Sequence, residues 1–151
     1  MSDYSATIRP AVPSDSDTLT SLLKILFSIE EDFIFNETLQ RRGVKLMLGN
    51  EQTHVLVAEI NAQVVGMCSG QMTVSTAEGG PALLVEDVIV QEDCRGQGFG
   101  RRLMEEVAGW GKKKGALRLQ LLADRNNASA LDFYKRLGWQ ITELICLRNT
   151  F

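Results

Sequence analysis

Histidine is nearly missing from this chain. His54 is the one example in 151 residues, which removes most His-based metal sites and most nucleophile–histidine triads. Cysteine is scarce too. Cys68, Cys94 and Cys146 are odd in number, widely spaced and without a C-x-x-C, which argues against a disulfide framework or a zinc knuckle. A reducing, cytoplasmic setting fits that usage. No apolar run approaches the roughly 18 residues that a membrane span requires, and Met1 to Ala11 has no apolar h-region of a secretory leader. Basic excess is absent as well: 16 Lys and Arg stand against 19 Asp and Glu, a net charge of -3, unlike a general nucleic-acid binder. The expectation is a cytoplasmic protein with no metal, no membrane and no nucleic-acid partner.

What is present suits one domain over residues 1–151. Apolar residues make up 44% and charged residues 23%, an ordinary globular mix, and a chain of this length can bury a core without staples. Thr7-Ile8-Arg9 reads as a first strand. A helix follows with Ser14 as its cap and Leu19, Leu22, Leu23 and Leu26 at helical spacing. Glu37 to Leu48 reads as a second helix. His54–Ile60 and Val64–Val74 form a hairpin about Asn61-Ala62-Gln63, and Ala82–Val90 is a long, nearly continuous apolar strand. Gly98–Lys114 is a helix ended by Gly115, and Leu117–Leu121 alternates as a strand. Asn127 caps a last helix ended by Gly138, and Trp139–Leu147 reads as a final strand. The order gives a mixed α/β sheet covered by helices on both faces.

Three glycines alternate at Gly96, Gly98 and Gly100, between the long strand and a helix. Glycine permits positive φ and close approach of a ligand to backbone, and a helix N-terminus offers free N–H groups and partial positive charge. Arg101 and Arg102 oppose the macrodipole in that first turn, at about 0.3–1 kcal/mol each, so a bound anion would relieve them. Neither G-x-G-x-x-G nor G-x-x-x-x-G-K-[ST] is present.

Here the sequence resembles the GNAT superfamily of N-acetyltransferases. Arg95-x-x-Gly98-x-Gly100, followed by Leu103, is similar to the family's [QR]-x-x-G-x-[GA]. Asn127, Ala130, Tyr134, Gly138 and Trp139 match its second block, and Ile8-Arg9-Pro10-Ala11 looks family-like. The resemblance implies a GNAT fold: a central, mostly antiparallel mixed sheet of six to seven strands with helices on both faces. It also implies acetyl-CoA as co-substrate. Val88, Ile89 and Val90 would offer backbone to the pantetheine arm. Arg95, Gly96, Gln97, Gly98, Phe99, Gly100 and Arg101 would hold the pyrophosphate, and Asn127 and Tyr134 would reach the cofactor. GNAT proteins are often dimers, so the resemblance allows a homodimer. Val85 to Val90 with Arg95-Gly96, and Asp132 to Arg136, are similar to diamine (spermidine/spermine) N-acetyltransferases. Glucosamine-phosphate N-acetyltransferases share a similar Glu-Asp pair, so the acceptor stays open.

Acetyl transfer to an amine needs a base, donors for the carbonyl oxygen and a proton for the leaving thiolate. Glu86, in an apolar strand that should raise its pKa, is the candidate base, directly or through water. Strand alternation puts Glu86 and Val88 on one face and Asp87 on the other. Tyr134, on the inward stripe of the last helix with Ala130, Phe133 and Leu137, is the candidate acid. Glu31 and Phe33, in an acidic and aromatic loop, and Asp87 are candidate contacts for a small-molecule amine. A peptide acetyltransferase and a non-catalytic acyl-CoA-binding sensor are the alternative functions.

Overall fold

Two hairpin connections set the sheet. In the computed structural model, which describes residues 6–151, β1 (Thr7–Pro10), β2 (Thr53–Ile60), β3 (Gln63–Ser75) and β4 (Gly80–Val90) pair antiparallel in sheet order. β5 (Leu119–Leu121) adds parallel to β4. Met1 to Ser5, the first part of the segment read above as carrying no leader, lie outside the described residues. The helices are α1 (Ser16–Ile29), α2 (Glu37–Leu48), α3 (Phe99–Lys113) and α4 (Ala128–Arg136). The chain divides into two compact units, one ending at Leu121 and one running Leu122–Phe151.

In the first unit, the leucine stripe of α1 does what its spacing predicts. Leu19, Leu22, Leu23 and Leu26 are buried and pack, with Val44 of α2, on Val55, Val57, Met67 and Ile89 of the sheet. Alternate strand residues supply that face because strand side chains repeat every second position. The opposite face takes α3. A Cβ on Gly111 would lie 2.8 Å from Leu83, and one on Gly70 would lie 2.9 Å from Val107 and 3.0 Å from Leu83. Glycine on helix and strand therefore lets the Leu83 side chain fill the gap between them. Leu83, Leu103 and Val107 are fully enclosed, each contributing roughly 1.5–3 kcal/mol of burial.

The start of α1 is held differently from the sequence expectation. Ser14 does not cap it. Instead the Asp15 carboxylate accepts from the Val12 N–H at 2.8 Å and from the Arg9 guanidinium at 2.9 and 3.1 Å. Arg9 also donates to Glu59 at 2.9 Å, so one guanidinium ties β1, β2 and the helix entry together. The hydrogen bond from Arg9 holds the Asp15 carboxyl below the usual carboxylate range, partly opposed by burial.

The second unit contains α4. Asn127 Oδ1 accepts from the Ala130 N–H at 3.1 Å, the cap that its sequence position predicts. Gly138, at φ 95, ends the helix, and the Trp139 N–H returns to the Tyr134 carbonyl at 3.0 Å.

Among the described residues the sheet has five strands rather than six to seven. The missing strand is the one expected over Trp139–Leu147. Ile141, Leu144, Ile145 and Leu147 are 70%, 84%, 71% and 86% exposed. Their apolar pattern shows which side chains could be buried, but a strand also requires a neighbour's N–H and C=O groups. Leu117–Leu121 likewise shortens to Leu119–Leu121.

Candidate active site

The end of β4 offers an open edge. β5 pairs with β4 at Leu83 to Val85 only, so within the first unit the following residues have a partner on the β3 side alone. The Gln91 N–H donates to the Val65 carbonyl at 2.8 Å, so Gln91 faces β3. Because peptide groups alternate along a strand, Ile89 faces β3 too, while Val88 and Val90 face the open edge. Of the three residues expected to offer backbone, Ile89 is therefore turned away. Its side chain is buried against α1. The Val90 carbonyl accepts from Arg95 Nε at 2.8 Å, which folds the Arg95 side chain back along β4.

The glycine turn follows. Gly96 and Gly98 have φ of 76 and 88, and a Cβ at either would meet nothing within 4 Å. The left-handed backbone explains the glycines, and the space in front of them is open. The first helical hydrogen bond runs from the Arg102 N–H to the Gly98 carbonyl at 3.1 Å. The N–H groups of Phe99, Gly100 and Arg101 are thus the orphan donors of α3. Phe99 is a core residue, 4% exposed, so only its backbone can serve a ligand. Gln97 and Arg101 are exposed. No acid stands in the first turn, whereas Lys112 and Lys113 stand in the last. Arg101 reaches Glu105 only at 3.8 Å, with both side chains more than half exposed.

The two carboxylates of β4 meet on one face. Met67 pairs with Ile89 and Ser69 with Glu86, so β4 carries one residue more than β3 across this stretch. This is a bulge. Asp87 takes φ 55 there, and the alternation is broken. Ser69 and Gln71, two apart on β3, share a face. Ser69 Oγ donates to Asp87 Oδ2 at 3.1 Å, and Gln71 Nε2 donates to Glu86 Oε1 at 2.8 Å. Both carboxylates therefore reach the same side, correcting the expectation that Asp87 points away from Glu86. Burial pushes the Glu86 carboxyl up, the neighbouring Asp87 adds to this, and the Gln71 hydrogen bond partly offsets it. Burial also pushes Asp87 up against the Ser69 hydrogen bond. Behind them, burial and Asp87 push the Cys68 thiol up to about 12.

A cavity of about 430 Å³ lies between α1, α2 and this face of the sheet. Ser69, Gln71 and Asp87 supply polar groups, and Phe27, Leu39 and Met67 are among its apolar walls. Of the loop residues expected to receive an amine, Phe33 touches the wall residue Phe27 at 5.6 Å between ring centroids. Glu31 is exposed and is not part of the walls. The Phe35 ring is occupied by the Lys24 ammonium, 5.8 Å from its centroid. Ser69, Gln71 and the α2 wall were not found from sequence. Their signals were a polar pair two residues apart inside an apolar strand, and a glycine, Gly43, inside a helix.

Tyr134 and Asn127 belong to the second unit. Tyr134 is half-buried, its ring edge-on to Phe133 at 5.2 Å and tilted to Trp139 at 6.1 Å.

Residues 19–139 match the family described as acetyltransferase (GNAT) family. The chain belongs to the GNAT acetyltransferases. It is 26% identical over 141 residues to an uncharacterized N-acetyltransferase of Methanocaldococcus jannaschii, covering 92% of this chain but 62% of that relative's length. It is 31% identical over 148 residues to the thialysine N-epsilon-acetyltransferase of Mus musculus, covering 90% of this chain and 85% of the relative. Among solved structures, an aminoglycoside N-acetyltransferase in complex with CoA superposes with a TM-score of 0.83 at 17% identity, over 96% of this chain and 94% of that one. At that identity the likeness speaks for the fold. No helix among the described residues is long and apolar enough to cross a membrane.

Proposed function

We propose that the chain transfers an acetyl group from acetyl-CoA to a primary amine of a small molecule, both units forming one acetyltransferase domain. The observation that carries this reading is the strand β4 itself. It bears two carboxylates with raised pKa beside a cavity, and it runs into a helix N-terminus with left-handed glycines, orphan N–H groups and arginines. A cavity of about 430 Å³ suits a small molecule.

Acetyl-CoA supplies an activated acetyl thioester. Overall, a C–N bond forms and a C–S bond breaks. The protonated amine gives up two protons, one to a carboxylate and one that restores the phenol of Tyr134 after it has protonated the departing sulfur. The N–H groups of Phe99, Gly100 and Arg101, with the Arg101 side chain, suit a pyrophosphate. Val88 offers peptide groups on the open edge, and Asn127 is a further cofactor contact by family likeness. Glu86 takes the amine proton, directly or through water. Its raised carboxyl brings it nearer the operating pH, which favours a general base. Tyr134 supplies the proton to sulfur through its phenol O–H, the role of a general acid.

Release of free thiol from acetyl-CoA, measured with an amine panel, tests the reading. Turnover should fall as pH drops through a value above the ordinary carboxylate range. Glu86→Gln should lower kcat/KM by about 10²-fold or more. Wild-type kcat/KM in that variant across the pH range would remove Glu86 from the role.

A further inference from the structure

The walls of the cavity carry a charge pattern that discriminates among amines. Among the described residues, Asp87 is the one charged residue on them. Ser69 donates to it at 3.1 Å, while its neighbour on β4, Glu86, accepts from Gln71 and is not one of the wall residues. No lysine or arginine among the described residues lines the space. The cations nearby are engaged elsewhere or face solvent. Arg41 is held by Asp17 and Glu37, Lys24 lies over Phe35, and Arg42 and Lys45 are exposed. Away from Asp87 the walls are mainly apolar, with Phe27, Leu39, Met47 and Met67, and their polar members Gln40, Asn50 and Thr53 are uncharged. Gly43 opens the α2 wall further, since a Cβ there would meet nothing within 4 Å.

We propose that the acceptor is a primary monoamine on an uncharged, mainly apolar body, an arylalkyl or alkyl amine, with its ammonium on Asp87 and its body against α2 and Met67. This rests on the transferase reading given above and narrows it. One carboxylate matches one ammonium. A second ammonium, as in a diamine, would meet no anion on the described walls, which away from Asp87 are apolar or neutral. A carboxylate, as in an amino acid, would find no cation and would face Asp87. Charges buried without partners are disfavoured strongly, whereas methylene and aromatic carbon gains contact along these walls.

Matched pairs separate the classes: 2-phenylethylamine against phenylalanine, which adds a carboxylate, and hexylamine against 1,6-diaminohexane, which adds an ammonium. The expected result is kcat/KM at least about tenfold higher for the monoamine of each pair. A diamine or amino acid that equals its partner overturns the proposal while leaving the transferase reading intact. Calorimetric titration of the same four amines supplies a readout independent of turnover. If 2-phenylethylamine binds at least tenfold tighter than phenylalanine, and Asp87→Asn removes that binding, but no amine releases thiol, the pocket assignment stands and the transferase reading falls. No binding of either monoamine overturns the assignment. Leu39→Glu is a second variant. It places a new carboxylate on the wall in the first turn of α2, where an acid is tolerated, and it should raise the diaminohexane-to-hexylamine ratio of kcat/KM about tenfold. An unchanged ratio counts against the proposed seat of the amine body.

Discussion

Gly43 provides the sharpest separation of fold from function. It lies inside α2, half-buried, and a Cβ at its position would meet nothing within 4 Å. Glycine in a helix interior costs about 0.8–1 kcal/mol relative to alanine, and no close packing offsets that cost here. Gly109 of α3 is the matched control: it is exposed, and a Cβ there also meets nothing within 4 Å. Gly43→Ala and Gly109→Ala should each stabilise the fold by about 0.5–1 kcal/mol, raising Tm by roughly 2–4 °C per kcal/mol for a chain of this size. Their effects on the acceptor should diverge when the side chain grows. Gly43→Leu keeps a good helix former but directs an isobutyl group into the cavity, so KM for the amine should rise about tenfold. KM for acetyl-CoA should stay within about twofold, because the cavity walls and the glycine turn are separate surfaces. Gly109→Leu should leave both constants unchanged. Differential scanning fluorimetry and initial rates read all four variants. Should Gly43→Ala lower Tm, the glycine has a packing reason that the open space hides. Should Gly43→Leu leave the amine KM unchanged, the acceptor does not use this cavity.

Three further outcomes follow from named contacts. Gly98→Ala should destabilise the fold by about 1–2 kcal/mol, since alanine resists a left-handed φ, and should also raise KM for acetyl-CoA. Gly79→Ala, at φ 73 with equally open surroundings, should match the first effect without the second, as thermal melts and saturation kinetics would report. Asp15→Ala should cost about 2 kcal/mol at neutral pH, because it removes charge-assisted hydrogen bonds from Arg9 and Val12. The folded Asp15 carboxyl lies below its ordinary value, so this stabilisation is present above roughly pH 4 and is lost as pH falls through the lowered folded value. Urea titrations of both proteins should therefore converge on acidification. Tyr134→Phe should lower kcat by about 10²-fold while KM changes little, and an unchanged kcat would remove the phenol from proton donation.

Much of the frame was legible because it depends on one segment at a time. The α1 leucines, the Asn127 cap and the stops at Gly115 and Gly138 each follow from local spacing or a local φ, and each appears in the structure. The failures involve two segments. Residues 139–147 have a strand's apolar pattern, but whether a ladder forms depends on a neighbour that their own sequence does not specify. The entry to α1 is held by Asp15 rather than capped by Ser14, because Arg9, on another element, holds the Asp15 carboxylate. Alternation predicts Glu86 and Asp87 on opposite faces, but it is a rule for an unbroken strand. The extra residue opposite Met67 to Ser69 belongs to the pairing of β3 with β4.

That bulge also explains why the candidate site and the backbone strain coincide. Ala62 and Asn61 have positive φ in the β2–β3 turn, where a tight hairpin demands it. Asp87 has the same conformation inside a strand, at a cost on the order of 1–3 kcal/mol. Glycine would satisfy that backbone more cheaply. Aspartate there also carries a carboxylate that burial disfavours, so the residue is unfavourable for the fold twice over. What it contributes instead is a charge beside Ser69, on the same side as Glu86, facing a cavity with no other charged wall residue among those described. A glycine could hold the bend, but it could not bind an ammonium.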